Sequence, residues 1–396
     1  MGPASLAPLF CILMHKAYIW LLICLLGLAA CAEDKSEPES SPTSEPPPPT
    51  RQFLEIASPW SVSVYPNPID GQRWLVAISH AEGHLTLWEI DQKRNTRILA
   101  RAEVGFHPDG VRWLSPVNDH SRTLAVTVEG KSVVQLWRYD SSLEQLNRLV
   151  EIPVTDPPQT VAVADLDCDG RTDLVLGPYD GKRLTLLWND GNHQFSPQFL
   201  NSDQTPVYPA LSDWNGDGRT DIVWSDWYAG TVRWAKNHGE RQLEIIALDD
   251  LDGEQRPRQV IPADVDGDGA DDLVIGLEVG EAALILYGDG QGGIARKEQV
   301  PAPGMGYVTA AVRGSGNEVE LALAEIDAVV FARRAENGGW RLRRIRARNG
   351  VPQDLHYTDL DGDGHEDLVF ANSAGREVEI LFGPDYWEQA EKVSPE

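Results

Sequence analysis

The sequence predicts an all-β chain folded as a seven-bladed β-propeller of four-stranded blades, closed by its N-terminal strand. Three observations predict it. An Asp-rich nine-residue pattern recurs at Asp165–Asp173, Asp213–Asp221, Asp264–Asp272 and Asp359–Asp367. Its starts lie 48, 51 and 95 residues apart, the last interval being two periods, and decayed copies fall in register at Pro66–Trp74, Ser115–Thr123 and Val312–Glu320. Two further markers keep the same register. A proline stands seven residues before six of the seven starts (Pro59, Pro108, Pro158, Pro206, Pro257 and Pro352, with Met305 at the other), and an aromatic follows each start (Trp88, Trp137, Trp188, Trp234, Tyr287, Phe331 and Phe382). Self-similarity at a period of about 49 residues marks units that bury a face only against one another, so the repeats of this 396-residue chain make one ring rather than several domains.

Residues 1–30 precede the repeats. Ala17 to Ala30 is an unbroken apolar run behind Lys16, too short to span a bilayer comfortably but suited to the apolar core of an export signal. Met14-His15-Lys16 supplies a short charged start, which leaves Met1 and Met14 as alternative initiators. The run ends in Leu28-Ala29-Ala30-Cys31, which resembles the lipobox of bacterial lipoproteins. That resemblance implies cleavage before Cys31, a lipid on its thiol and, with Ala32 following, the outer membrane as address. The alternative is an uncleaved anchor helix that includes Leu6–Leu13. Residues 31–50 are rich in Ser, Glu and Pro and end in four consecutive prolines, a composition that cannot bury a core and reads as an extended tether.

Residues 51–388 hold the ring. Each unit reads as strands A to D: in the third, Val161–Ala164 before the loop, Leu174–Gly177 after it, Leu184–Trp188 with the aromatic, and Gln194–Leu200 beyond a turn. Unit seven reaches only its third strand, Glu377–Phe382. The chain's beginning, Arg51-Gln52-Phe53-Leu54-Glu55-Ile56-Ala57, echoes the fourth strand of unit four, Arg241-Gln242-Leu243-Glu244-Ile245-Ile246-Ala247. The N-terminal strand is therefore expected to complete blade seven and remove its open edge. Residues 389–396 are expected to be a C-terminal tail.

The loops place carboxylates at positions one, three, five and nine: Asp165, Asp167, Asp169 and Asp173; Asp264, Asp266, Asp268 and Asp272; Asp359, Asp361, Asp363 and Asp367; and, with one asparagine, Asp213, Asn215, Asp217 and Asp221. Hard oxygen donors at alternate positions, with glycine at position six for the turn, suit calcium. An EF-hand needs an acid at position twelve, where this chain has Leu176, Trp224, Ile275 and Phe370, so the ninth Asp takes that part. The loops and the units around them resemble the FG-GAP/VCBS repeats of integrin α-subunit propellers and bacterial surface proteins. The resemblance implies up to four calcium ions, ligated by those side chains and by the backbone carbonyls of Arg171, Arg219, Ala270 and His365. The loop with Asn215 carries one charge less and is expected to bind more weakly; units one, two and six lack the acids and are expected to be metal-free.

The loops and C–D turns are expected on one face, the D–A connectors and B–C turns on the other. Integrin-like relatives bind through the second face, where this chain is expected to present Trp60, Asp109, Tyr179, Tyr208, Asp226, Trp227, Tyr228, Arg258 and Tyr307. The balance of 61 Asp+Glu against 34 Lys+Arg argues against a nucleic-acid partner, which needs clustered cations. Cys168 is the one cysteine of the ring, so no disulfide framework forms within it. No catalytic signature stands out. The expected function is a lipid-anchored, monomeric, calcium-binding module for adhesion or scaffolding on the cell envelope, with a protein or glycan ligand. The alternatives are a polysaccharide lyase or glycosidase, and an envelope assembly factor.

Overall fold

A computed structural model of the chain describes residues 49–65, 73–114, 122–251, 256–279, 282–301, 309–336 and 338–393. The expected signal segment, Cys31, most of the tether, Met305 and Tyr307 lie outside the described residues. Seven antiparallel sheets follow one another, each in the order A-B-C-D. Blade three is typical: Pro158–Ala164, Asp173–Pro178, Arg183–Gly191 and Gln194–Asn201. The expected seven-bladed propeller is the observed fold.

The marker prolines have a common structural reason. Each of the six is the first residue of a strand A, where a missing N–H breaks no ladder bond. In all six of these blades the A–B register slips by a bulge directly after that start. The marker aromatics are all buried and stand on strand C or immediately after it. Buried apolar side chains gather into seven clusters, one at each joint between neighbouring blades. One joins blades one and two through Trp74, Leu85, Trp113 and Leu124. Another joins blades seven and one through Leu54, Val62, Leu75, Val369 and Ile380. The core is thus a ring of joints rather than a central mass.

Arg51–Glu55 pairs with Glu377–Leu381, from Arg51 opposite Leu381 to Glu55 opposite Glu377, and so forms strand D of blade seven. Leu54 and Ile56 are buried, while Phe53 is only half-buried, beneath the guanidinium groups of Arg51 and Arg348. The C-terminal residues depart from expectation. Tyr386–Gln389 forms one helical turn, and Glu391–Val393 pairs with Trp340–Arg346 as a fifth strand of blade six. Residues 391–393, within the expected tail, are therefore part of the sheet. In blade six, Glu320 stands where the Asp-rich units carry their ninth Asp. It is buried between Arg313 and Arg333 and accepts hydrogen bonds from the hydroxyls of Tyr357 and Tyr386. An ion-paired glutamate thus replaces the acidic loop in that blade.

Candidate cation loops and the opposite face

The four Asp-rich loops connect strands A and B in blades three, four, five and seven, and they share one set of hydrogen bonds. The first Asp accepts the backbone N–H of position six, Gly170 at 2.8 Å, Gly218 at 2.8 Å, Gly269 at 3.2 Å and Gly364 at 3.2 Å. The fifth Asp accepts the N–H of position seven, from Arg171, Arg219, Ala270 and His365 at 2.8–3.0 Å. Position six is left-handed in every loop, which is why glycine stands there. Position four is left-handed as well, and Cys168 adopts a φ of 59° where its counterparts are Gly216, Gly267 and Gly362. Cys168 is exposed.

The ninth Asp does more than sequence reasoning assigned to it. Its side chain is buried, and in blades three, five and seven each oxygen takes a backbone N–H from a different segment. In blade three, Asp173 Oδ2 accepts from Leu166 N at 2.9 Å and Oδ1 from Asn189 N, at the end of strand C, at 2.8 Å. Asp272 does the same with Val265 and Gly288, and Asp367 with Leu360 and Gly383. Asp221 accepts from Asn237 N at 2.7 Å. The ninth Asp therefore ties loop to sheet. Burial, which disfavours the charged form, pushes Asp173, Asp221 and Asp272 up to about 6 and Asp367 up to about 7, with neighbouring loop acids adding to the rise.

These residues fit a hard cation. Carboxylate oxygens of Asp165, Asp167 and Asp173 lie within 4.8 Å of one another, as do those of Asp264, Asp266 and Asp272, and of Asp359, Asp361 and Asp367. Asp167 Oδ1 is buried with no hydrogen-bond partner, a group whose desolvation a cation would offset. In the remaining loop Asn215 Nδ2 instead donates to Asp221 Oδ2 at 3.2 Å.

Comparison with known proteins bears on these loops directly. The FG-GAP-like repeat family matches residues 165–224 and again 213–275, from the first Asp-rich loop into blade five. Residues 165–275 carry FG-GAP-like repeats within a seven-bladed β-propeller. No curated protein of similar sequence is found. Among solved structures, virginiamycin B lyase from Staphylococcus aureus superposes with a TM-score of 0.57 at 10% identity, covering 84% of this chain and 99% of that one. A protein of Bacteroides uniformis proposed to be a 6-phosphogluconolactonase gives 0.59 at 13%, covering 85% and 96%. A chain of the outer coat vertex of COPII on membranes gives 0.61 at 11%, covering 86% and 89%. A lyase, a lactonase candidate and a coat protein at such identities share the propeller fold with this chain, and the fold alone.

The opposite face is built from a second repeated bond. In six blades the residue opening the B–C turn, or in blade two the short helical turn there, donates its N–H to the carbonyl just before the marker proline of its own blade. His80 bonds Ser58, Glu129 bonds His107, Tyr179 bonds Pro157, Trp227 bonds Thr205, Glu278 bonds Arg256 and Ser373 bonds Val351, at 2.8–3.1 Å. This joins turns and connectors on one side of the ring, as expected. Of the residues expected there, Tyr208, Trp227, Tyr228 and Arg258 come together across blades four and five. Trp227 and Tyr228 stack at 4.5 Å, the Arg258 guanidinium lies 5.3 Å from the Trp227 ring and 5.6 Å from the Tyr208 ring, and Arg256 lies 5.9 Å from Tyr228. Trp227 Nε1 donates to Glu278. Tyr228 is 40% exposed.

Asp226 is not a surface ligand group. It is fully buried, paired with Arg233 at 2.6 Å and bonded by Ser202, so it belongs to the sheet. Asp109 is buried too. Its Oδ1 lies 3.1 Å from His80 Nδ1, and burial pushes it up to about 8; the neighbouring Glu129 is raised to about 7, also chiefly by burial. His80 stacks between Trp60 at 5.0 Å and His107 at 4.5 Å. Trp60 and Asp109 thus form a second patch around His80, apart from the Trp227 patch. Tyr179 is half-buried at its turn.

Proposed function

We propose that this FG-GAP propeller is a calcium-stabilised binding module, tethered to the cell envelope through Cys31, that engages a glycan or protein partner through the face opposite its cation loops. The observation that carries the reading is the Tyr208–Arg258–Trp227–Tyr228–Arg256 assembly. Aromatic rings with arginines interleaved give apolar area and directed hydrogen-bond donors at small entropic cost, the composition of binding hot spots. The Trp227–Tyr228 step stands on a turn, held by Glu278 from the next blade, so it is presented ready-formed. The two faces divide the work: buried ninth-position acids and cations stiffen one side, and the other side is free for a partner.

The test is a glycan array and an envelope-protein pull-down with the mature chain in calcium, compared with Tyr228→Ala and Arg256→Ala. Partner binding should fall at least about tenfold in either variant, while melting stays within about 1 °C of wild type, since both side chains are on the surface. Binding that survives both changes would move the contact surface elsewhere, to the Trp60–His80–His107 patch. Palmitate labelling of the same preparations, lost in Cys31→Ser, checks the anchor; undiminished labelling of that variant refutes it.

A further inference from the structure

Every cation loop with an acid at position three has an arginine already seated on that acid. In blade three, Arg241 Nε donates to Asp167 Oδ2 at 2.7 Å, with Nη1 on Asp190 at 2.7 Å. In blade seven, Arg94 Nε donates to Asp361 Oδ2 at 2.6 Å, and Nη2 lies 3.4 Å from Asp363. In blade five, Arg296 Nη2 lies 3.0 Å from Asp266 Oδ2. Each guanidinium also lies over the strand-C aromatic of the blade that owns the loop, Arg241 over Trp188 at 5.1 Å, Arg94 over Phe382 at 4.4 Å and Arg296 over Tyr287 at 3.2 Å.

The fourth loop differs: the cation over its strand-C aromatic Trp234 is Lys236 Nζ at 5.7 Å, and its own Arg219 lies 3.6 Å from the fifth-position Asp217 rather than at position three. Its third residue is Asn215, and among the described residues no arginine pairs with it. The place is taken by the glycine-rich turn of blade five. A Cβ on Gly292 would come within 2.8 Å of the Trp234 ring and 3.6 Å of Asn215, so the turn's backbone fills the space that a guanidinium fills in the other loops. Acid with arginine, amide without: the pairing holds in all four loops.

We infer that Arg94, Arg241 and Arg296 are resident counter-cations that contend with the loop cation for the third-position carboxylate, so that the Asn215 loop, the one without such a competitor, fills first. This rests on the calcium reading of the loops. It reverses the order expected from counting carboxylates, because each added acid arrives with its own positive charge. Two of the three arginines cross a blade joint. Arg241 stands at the left-handed apex of the C–D turn of blade four and reaches back to blade three, and Arg94 does the same from blade one to blade seven, where Nη1 also bonds Pro49 O at 3.1 Å. In those two loops the guanidinium holds the joint when the cation is away, and the cation frees it on binding.

Calorimetric titration of the mature chain with calcium tests the inference, using wild type, Asp213→Ala, Arg296→Gln alone, and the Arg94→Gln/Arg241→Gln/Arg296→Gln variant. Wild type should show a tightest class of about one ion, missing in Asp213→Ala. Removing a charge a few ångströms from the ion should tighten the corresponding site by about tenfold, at one site in Arg296→Gln and at three in the triple variant. Arg296 is on an exposed strand face and crosses no joint, so its variant keeps the test valid if the triple variant folds poorly. Melting in chelator should fall in the triple variant, where the joints lose their arginines. Unchanged or weaker calcium binding in Arg296→Gln overturns the inference, as does a tightest class that survives in Asp213→Ala. Absence of calcium binding in wild type overturns the calcium reading instead.

Discussion

A chain that begins at Ser58 will melt far below one that begins at Thr50, or will aggregate. Residues 51–55 supply the outer strand of blade seven, with Phe382 N bonded to Thr50 O and Ile56 N to Arg376 O extending the pairing at both ends. Deletion exposes the edge of Glu377–Leu381 and empties the places of Leu54 and Ile56. At roughly 1.5–3 kcal/mol for each buried side chain, the apolar loss alone is about 3–6 kcal/mol, a large share of a typical stability of 5–15 kcal/mol. The deletion also strips Arg51 from Glu379, leaving a buried carboxylate without its counter-ion; burial already raises Glu379 to about 7. Thermal melts and size-exclusion profiles of the two chains decide it. Equal melting and equal solubility would mean that the ring closes without this strand.

Asp173→Ala will lower stability markedly even in chelator, and further in calcium, where it also removes a ligand. The substitution orphans two backbone N–H groups, of Leu166 and Asn189, at about 1–3 kcal/mol each, and leaves a void beneath the loop. That sums to roughly 2–6 kcal/mol, or a melting fall of about 5 °C or more. Asp169→Ala makes the contrast: its carboxylate is partly exposed and bonds within the loop and to Arg171, so its loss should matter little in chelator and more in calcium. Equal, small losses for both variants in chelator would show that the ninth Asp is a ligand alone and no tie between loop and sheet.

Much of this architecture was legible because propeller repeats write local rules into sequence. Proline marks the start of strand A, the Asp pattern marks the A–B loop, and the echo of 241–247 in 51–57 marks the closing strand. What escaped depends on the meeting of segments far apart in the chain. Glu391–Val393 is three residues without apolar alternation, and it is a strand only because Trp340–Arg346 offers an open edge. Asp226 and Asp109 stand at turns and so read as surface groups, but Arg233 and His80 draw them inside. The Arg241–Asp167 pair spans 74 positions and is set by how blade four lies against blade three, which no period within a unit encodes. The two N–H bonds of the ninth Asp had a sequence signal after all: their strand-C donor lies 16 residues on in every one of the four loops.

In the function proposed above, the four acidic loops of the propeller are calcium sites. Equilibrium dialysis of the chain beginning at Thr50, with bound calcium counted at millimolar free ion, tests it most directly. The expected result is about four calcium ions per chain, saturating together with a rise in melting temperature over the chelated protein, as mass action on the folded state requires. No bound calcium, with identical melting in calcium and in chelator, would contradict it.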